Sequence, residues 1–424
     1  MDPNNQASYL QILKAELLTA MGCTEPIAIA YAAALAAHLL NEPVESVHIA
    51  CSGNLIKNAK GVVVPHTGGL RGINSAASIG VFCAEPQRQL ALLDGVTAEQ
   101  IAQAQAFLAE ERASFSLVPQ RAGLYILATA KSASHEASVE IDQTHTNVTR
   151  CCLDGRELPQ ECAQIRPQEA PDYSKLNVAD VLAFAQEAPL ELLRPLLEHQ
   201  VVLNRAIAEE GLQQSWGAGI GRSIMRLYDP ADVRTRARAY AAAGSDARMS
   251  GCALPVVINS GSGNQGITAS MPVIVYAEHI GASELQLYRA LALSNLLAIH
   301  QKRFIGSLSA FCGAVSAATG AAAAITWLQG GGYEQIAQTI TNSLATTGGI
   351  VCDGAKPSCA AKIASALEAA LLGSELGLQG AGFKAGEGLV GQNVEETIRN
   401  FGQVARDGMF ETDQQILGIM RENC

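Results

Sequence analysis

Residues 304–333 read FIGSLSAFCGAVSAATGAAAAITWLQGGGY, the longest stretch of the chain without a charged side chain. Its length alone would allow a membrane span. However, the stretch consists mostly of Ala, Gly, Ser and Thr, with few Leu or Ile. Small residues let neighbouring helix backbones approach closely, so this composition predicts a buried, tightly packed helix.

The sequence around this stretch predicts an α+β fold. From residue 175 onward the pattern is almost wholly helical, with later helices predicted at 231–243, 282–300, 306–328 and 333–346. Residues 1–170 have a mixed α/β pattern that carries Cys23 and predicts a short-stranded sheet, with strands at 47–52, 61–64, 123–130, 136–142 and 146–152. The two prolines of 166–174 indicate a linker. We therefore predict a mixed domain at 1–170 and a mostly helical catalytic domain at 171–424.

Local signals mark helix starts and turns in the first domain. The helical pattern of 8–40 is broken at Gly22-Cys23-Thr24-Glu25-Pro26, where Pro26 fits the first turn of a new helix. A helix at 97–112 has Thr97 as its predicted N-cap. Gly-rich turns are predicted at 52–54 and 66–69.

Composition excludes several classes of protein. The 424 residues include 40 acidic and 29 basic side chains, and only 16% are charged, which excludes a disordered chain. A net charge of −11 argues against a nucleic-acid partner. The N-terminus has no secretory pattern, and the eleven scattered cysteines do not form a disulfide framework. We predict a cytoplasmic protein with a small-molecule partner and no membrane association, and its apolar helices are compatible with a homo-oligomer.

Cys23 lies at a predicted helix start. There the positive end of the helix dipole should lower the pKa of the thiol. The functional interpretation is a nucleophile or a base, and the alternative is a small buried apolar residue.

Cys312, Cys352 and Cys359 form a second set of cysteines. Cys352 and Cys359 are separated by six residues, which is too many for the common zinc spacing. Each of the three lies in a Gly-containing turn that could bend around a bulky cofactor. Three thiolates would leave one metal position open for a substrate. Three buried thiols are the alternative interpretation, as we expect for Cys51, Cys83, Cys151, Cys152, Cys162 and Cys252.

A Gly-rich segment, INSGSGNQGITASMP at 258–272, precedes a predicted helix. Backbone N–H groups at a helix start can bind an anion, so the segment predicts a carboxylate site, with an unliganded helix start as the alternative. The glycine spacing matches a dinucleotide fingerprint formally, but the helices that follow exclude a βαβ unit. His66, in a second Gly-rich turn, could bind a ligand or transfer protons.

Six motifs in order resemble the UPF0597 family, which includes L-cysteine desulfidase and is related to the α-type catalytic domain of iron–sulfur L-serine dehydratases. The resemblance covers essentially the whole chain. The motifs are GCTEP (22–26), VPHTGG (64–69), INSGSGNQG (258–266), FCGA (311–314), VCDGAKPSC (351–359) and GMFETDQQILGIM (408–420).

This resemblance implies a site and a cofactor. It implies an oxygen-sensitive 4Fe–4S cluster held by Cys312, Cys352 and Cys359, Cys23 as the catalytic base, and no pyridoxal phosphate. By the same analogy, substrate-binding residues come from the two Gly-rich loops: His66, Thr67, Gly68, Ser262, Asn264 and Gln265. The helical domain would then be the iron–sulfur domain.

The implied reaction is β-elimination on a small amino acid: L-cysteine to pyruvate, ammonia and hydrogen sulfide, in cysteine catabolism. Dehydration of L-serine by the same apparatus is the alternative. Three further hypotheses stay open on the sequence: a hydrolase that uses Cys23 with His66, a non-enzymatic iron–sulfur or small-molecule sensor, and a zinc protein. The sequence leaves the role of Cys424 open.

Overall fold

The uncharged stretch that begins at Phe304 contains a buried helix, as predicted. In a computed structural model of the chain this helix covers Gly313–Leu328, and residues 314–326 are all buried. No helix among the residues described is both long and apolar enough to cross a membrane. The structure describes residues 3–83, 85–119, 121, 123–159, 171–306 and 308–422.

The helices and strands follow the chain in two runs. Before residue 160 they are α1 (Pro3–Glu16), β1 (Thr19–Met21), α2 (Thr24–Leu40), β2 (Ser46–Cys51), α3 (Gly53–Ala59), α4 (Gly72–Val81), α5 (Ala98–Ala109), β3 (Ala113–Leu117), β4 (Tyr125–Lys131), β5 (Glu136–Asp142), β6 (Val148–Leu153) and β7 (Arg156–Glu157). After residue 170 they are α6 (Val178–Glu187), α7 (Leu190–Gln213), α8 (Ile220–Leu227), α9 (Val233–Met249), β8 (Pro255–Val257), α10 (Gly263–His279), α11 (Glu284–Ile305), α12 (Gly313–Leu328), α13 (Tyr333–Thr347), α14 (Cys359–Leu378), α15 (Val394–Gln403) and α16 (Phe410–Glu422).

These elements belong to two compact units. The helical unit comprises Met1–Leu18, Pro171–Cys352 and Pro357–Met409, and the sheet unit comprises Thr19–Ala170, Asp353–Lys356 and Phe410–Cys424. The domain boundary between residues 170 and 171 stays a prediction. Residues 166–170 of the predicted linker lie outside the described residues.

The sheet unit contains a six-stranded mixed sheet with the order β3-β2-β4-β5-β6-β7. Strand β2 pairs parallel with β3 and antiparallel with β4, so that Ile49 lies opposite both Phe115 and Ala128. Alternate residues of β4 and β5 are buried, and α2 packs on these two strands. This period of two is the pattern that predicts the strands at 47–52, 123–130, 136–142 and 146–152, all of which the structure contains.

Two short segments differ from the prediction. The strand predicted at 61–64 is wrong, because Val63 forms an isolated bridge with Arg71 that closes a loop instead of extending a strand. The turn predicted at 52–54 is wrong as well, because it is the first turn of α3. Ser52 is the N-cap of that helix, and its Oγ accepts a hydrogen bond from the backbone N–H of Leu55 at 3.4 Å.

The capping and periodicity signals locate the other helices. Thr97 is the N-cap of α5, and Gln100 completes a capping box with it. The helices predicted at 231–243, 282–300 and 333–346 correspond to α9, α11 and α13. The helix predicted at 306–328 corresponds to α12 but begins later, at Gly313, because Phe311 forms a bridge with Val351. In the helical unit, α12 packs against α10, α11, α13 and α14, which explains why its residues are small.

A buried ion pair attaches α16 to α3 in the sheet unit. Lys57 Nζ donates to Asp413 Oδ1 at 2.5 Å, and the two side chains are only 1% and 11% exposed. Asp413 also accepts a hydrogen bond from Asn54 Nδ2 at 3.3 Å. Loss of one member of such a pair leaves the other charge buried without compensation.

We expect Lys57→Met to lower the free energy of unfolding by about 3–5 kcal/mol, because it removes the cation that compensates the largely buried Asp413 carboxylate. The double variant Lys57→Met/Asp413→Leu should lose much less. Arg194→Met, which breaks a half-exposed pair with Glu284, is the matched control and should cost about 0–1 kcal/mol. Urea unfolding measures all three, and equal losses in the single and double variants would contradict this account.

Candidate iron–sulfur and substrate site

A short backbone bridge brings two of the predicted cysteine ligands together. The segments 310–312 and 350–352 pair antiparallel about Phe311 and Val351. Cys312 N–H donates to the carbonyl of Ile350 at 2.9 Å, and Cys352 N–H donates to the carbonyl of Ala310 at 2.6 Å. In such a pairing, Cys312 and Cys352 lie on the same face as diagonal neighbours. Their side chains are in hydrogen-bond contact.

Two of the three cysteines lie at helix N-termini. Cys312 is the N-cap of α12, and Cys359 is the first residue of α14. The hydrogen bond with Cys352, followed by burial, raises the pKa of the Cys312 thiol well above its ordinary value, and Cys359 contributes to the same shift. The positive end of a helix dipole and a bound cation both favour the thiolate instead.

The three thiols do not form a site for a single metal ion. Among the residues that the structure describes, no group of three or more His, Cys, Asp or Glu side chains is arranged to hold one ion. The donor set itself consists of sulfur only, and soft thiolate ligands suit iron–sulfur clusters and zinc. None of the nine cysteines that the structure describes forms a disulfide.

Five other described cysteines, to which the sequence assigns no ligand role, are buried. Burial raises the pKa of Cys51 to about 12 and that of Cys83 to about 11, and it also raises the pKa of Cys252. These thiols keep their protons at neutral pH. Cys151 and Cys152 are buried too, whereas Cys162 and Cys424 lie outside the described residues.

In the helical unit, the loop part of the Gly-rich segment 258–272 is shorter than the sequence suggests. Ser262 is the N-cap of α10, and helix begins at Gly263, so Asn264 and Gln265 belong to the first helical turn. Gly266 N–H donates to the Ser262 carbonyl at 3.0 Å and is therefore occupied within the helix. An anion-binding group of amides is thus limited to the turn before Gly266.

Gln265 joins this helix start to the cysteine site. The side chain of Gln265 lies against Gly313, where a Cβ would come within 2.4 Å of the Gln265 Cδ. Gly313 follows Cys312 directly, so only a glycine permits this approach of α10 to α12. Gln265 is 8% exposed, and its buried Oε1 has no hydrogen-bond partner among the described residues.

Glu16 binds the Gly-rich segment of the helical unit near its start, at Ser260. The sequence gives no signal for this contact. Tyr173 Oη donates to Glu16 Oε1 at 2.5 Å. The backbone N–H of Ser260 hydrogen-bonds to the same carboxyl group, while Ser260 itself has a left-handed φ of 48°. Burial raises the pKa of Glu16, and the bonds from Tyr173 and Ser260 offset part of that rise.

In the sheet unit, Cys23 is the N-cap of α2, as the sequence predicts for a helix start. Its Sγ donates to Glu25 Oε2 at 2.9 Å, and Thr24 Oγ1 donates to the same oxygen at 3.2 Å. All three residues are buried. Glu25 is a partner for the thiol that sequence reasoning missed, although the residue stands in the quoted GCTEP motif.

The second Gly-rich turn lies beside Cys23 in the same unit. A Cβ on Gly22 would come within 2.5 Å of Pro65 Cγ, so the two loops are in contact. His66 has a left-handed φ of 59°, and its buried Nε2 has no partner in the described part of the chain. Thr67 Oγ1 donates to the Val64 carbonyl at 2.7 Å, and Gly68 is exposed.

The predicted site residues therefore form two groups. The helical unit holds Cys312, Cys352 and Cys359 together with the α10 turn of Ser262, Asn264 and Gln265. The sheet unit holds Cys23 with the turn of His66, Thr67 and Gly68.

The fold and site define a two-unit α+β protein whose helical unit holds Cys312 and Cys352 side by side and has Cys359 at the start of α14. Comparison with known proteins adds the family. A sequence profile for the serine dehydratase alpha chain matches residues 87–418. The chain belongs to this family.

Three relatives that match this chain over almost their full length are each named UPF0597 protein. The chain is 46% identical to a UPF0597 protein of Lachnoclostridium phytofermentans, over 97% of this chain and 98% of the relative. It is 43% identical to UPF0597 proteins of Finegoldia magna, over 98% of this chain and 99% of the relative, and of Treponema denticola, over 99% of each chain. The resemblance stated from the motifs is confirmed.

We expect Glu16→Gln to change how stability depends on pH. A carboxyl whose pKa is raised by folding contributes most below its unfolded value and loses that contribution as pH rises through the folded value. The free energy of unfolding of the wild type should therefore fall relative to that of Glu16→Gln as pH rises from about 4.3. Tyr173→Phe should steepen the fall, because it removes a bond that lowers this pKa. A difference that does not depend on pH would contradict the assignment.

Proposed function

We propose that this protein is an iron–sulfur lyase that acts without pyridoxal phosphate and performs β-elimination on a small amino acid, with L-cysteine as the substrate. The observation that carries the proposal is the bridge between 310–312 and 350–352, which holds Cys312 and Cys352 side by side. Membership of the serine dehydratase alpha chain family supports the reaction class.

Cys312, Cys352 and Cys359 would hold a 4Fe–4S cluster. An all-sulfur donor set with two members at helix N-termini suits a group that binds thiolates. With three protein ligands, one iron would remain open and would supply a Lewis acid for the substrate's leaving group.

Cys23 would remove the proton from the substrate Cα. Its contact with Glu25, at 2.9 Å, gives the thiol proton a carboxylate acceptor. A thiolate could form at this position because the N-terminus of α2 stabilises negative charge. His66, in the turn beside Cys23, adds a further polar atom to this region. Its buried Nε2 lacks a hydrogen-bond partner in the described part of the chain.

The elimination balances without an external oxidant or reductant. The Cα–H and Cβ–S bonds of L-cysteine break, hydrogen sulfide leaves, and the aminoacrylate product becomes an imine that water converts to pyruvate and ammonia. L-serine would lose water in the same way. L-serine dehydratase is the second candidate function, because the matching family carries that name.

The deciding experiment uses protein purified without oxygen. We expect about four iron and four sulfide per chain, together with pyruvate release from L-cysteine that is faster than from L-serine. Faster release from L-serine would favour the dehydratase. A cluster without pyruvate from either amino acid would overturn the lyase in favour of a sensor, and a colourless zinc protein would overturn the cofactor.

Cys352→Ala should abolish the visible iron–sulfur absorbance and the bound iron, because it removes one of the three ligands. Cys252→Ala, which removes a buried thiol of the same unit outside the site, is the matched control and should keep both. Persistence of the cluster in Cys352→Ala would show that the ligand set is wrong.

Cys23→Ala should lower kcat by at least about 100-fold, because general-base catalysis contributes that much. The cluster absorbance should stay unchanged. Glu25→Gln should also lower kcat, by a smaller factor, while Cys83→Ala should behave like the wild type. Full turnover in Cys23→Ala would exclude Cys23 as the base, and activity in iron-free protein would favour the hydrolase instead.

A further inference from the structure

Arg248 is a buried cation without an anion. The residue lies at the end of α9 and is 4% exposed. Its Nη1 donates to Asn264 Oδ1 at 3.3 Å, while its buried Nε has no hydrogen-bond acceptor. Within the described residues, no carboxylate forms an ion pair with it. Burial of a charge is costly unless the charge is paired, so this arrangement needs a further partner.

The position of the guanidinium adds to the cost. A Cβ on Gly263, the first residue of α10, would lie 2.3 Å from Arg248 Nε, so the side chain lies directly over the N-terminus of this helix. That end of a helix carries partial positive charge and unpaired N–H groups. A cation there is unfavourable, but the same amides and a guanidinium together attract an anion.

Two other arginines of the same helix, Arg234 and Arg238, form ion pairs with carboxylates. Arg238, ten residues earlier on α9, forms an ion pair with Glu368, and Arg234 pairs with Glu375 at 2.9 Å. Asp246 lies two residues before Arg248, but its Oδ2 accepts the backbone N–H of Gly221 at 3.0 Å. Arg248 therefore differs from Arg234 and Arg238 in having no carboxylate partner among the described residues.

The surroundings of this cation belong to the proposed active site. Asn264, its hydrogen-bond partner, precedes Gln265, whose side chain lies against Gly313 beside Cys312. The unpartnered Oε1 of Gln265 is an acceptor in the same helical turn. A ligand with a carboxylate and an ammonium group would satisfy both the donors and this acceptor.

We propose that Arg248 and the first-turn amides of α10 bind the α-carboxylate of the amino acid substrate. The proposal rests on the proposed lyase function for the identity of the ligand. A guanidinium presents two parallel donors that match the two oxygens of a carboxylate. Held in this way, the substrate would carry its β-substituent toward Cys312, whose neighbour Gly313 lies against Gln265.

Binding is tested with L-alanine, which has the carboxylate and the ammonium but no leaving group, and with L-alaninamide, which lacks the carboxylate. We expect L-alanine to raise the Tm of the anaerobically purified holoenzyme and L-alaninamide to leave it unchanged. In Arg248→Met the apparent Kd for L-alanine should weaken by about 10- to 100-fold. Arg248→Lys should be intermediate, because lysine lacks the planar fork.

Arg238→Met is the matched control and should keep the full response to L-alanine. Without added carboxylate, the Tm of Arg248→Met should equal or exceed that of the wild type, because the variant removes an uncompensated charge. A purely structural arginine would behave in the opposite way. An unchanged response to L-alanine in Arg248→Met, or an equal response of the wild type to L-alaninamide, would overturn the proposal.

Kinetics separate this proposal from the proposed function. Arg248→Met should raise the KM for L-cysteine by a similar factor, with a smaller change in kcat. Pyruvate formation with an unchanged KM in the variant would overturn the carboxylate site and leave the lyase intact. L-alanine binding that depends on Arg248, in a wild type that forms no pyruvate, would support the site and overturn the lyase.

Discussion

The candidate site depends on two backbone hydrogen bonds, from Cys312 to Ile350 and from Cys352 to Ala310. These bonds pair the extended segments 310–312 and 350–352 in one isolated β-bridge. They place both thiols on the same face of that bridge. Contact with Cys352, followed by burial, raises the pKa of the Cys312 thiol, so the contact between the two side chains does not favour their joint ionisation. Tight packing of α12 against four helices fixes one segment, and α13 leads directly into the other.

Helix N-termini determine where the helical unit favours negatively charged groups. Cys312 caps α12, Cys359 begins α14, and Gly263 begins α10 under the Arg248 guanidinium. Each of these ends stabilises a negative group. The helical unit therefore concentrates positive potential where two thiols and, in our proposal, a substrate carboxylate would ionise or bind.

Local patterns made most of the fold predictable, whereas the site needed long-range information. The alternation in β4 to β6 and the capping box at Thr97 depend on residues close in sequence. The short segment at 61–64 failed because one apolar run does not distinguish a strand from a loop with a single bridge. The site's cysteines could be named from motifs. The pairing of Cys312 with Cys352, across about forty residues, follows from tertiary packing that no local pattern contains. The contact of Cys23 with Glu25 is local, because the two residues lie in the same GCTEP motif at the start of α2, but a helix-start pattern does not by itself indicate it.

Arg248 is a second residue whose role the sequence does not indicate, because the free-energy cost of its position depends on the fold. An arginine near the end of a helix is ordinary in a sequence, since arginines usually lie exposed and stabilise the C-terminal dipole. Only the fold reveals that this side chain is buried and points at the N-terminus of another helix, where its charge is unfavourable. Proteins retain such costs where a ligand offsets them, because a group arranged in advance for its ligand loses less free energy on binding. The unfavourable placement is therefore an argument for binding rather than for stability.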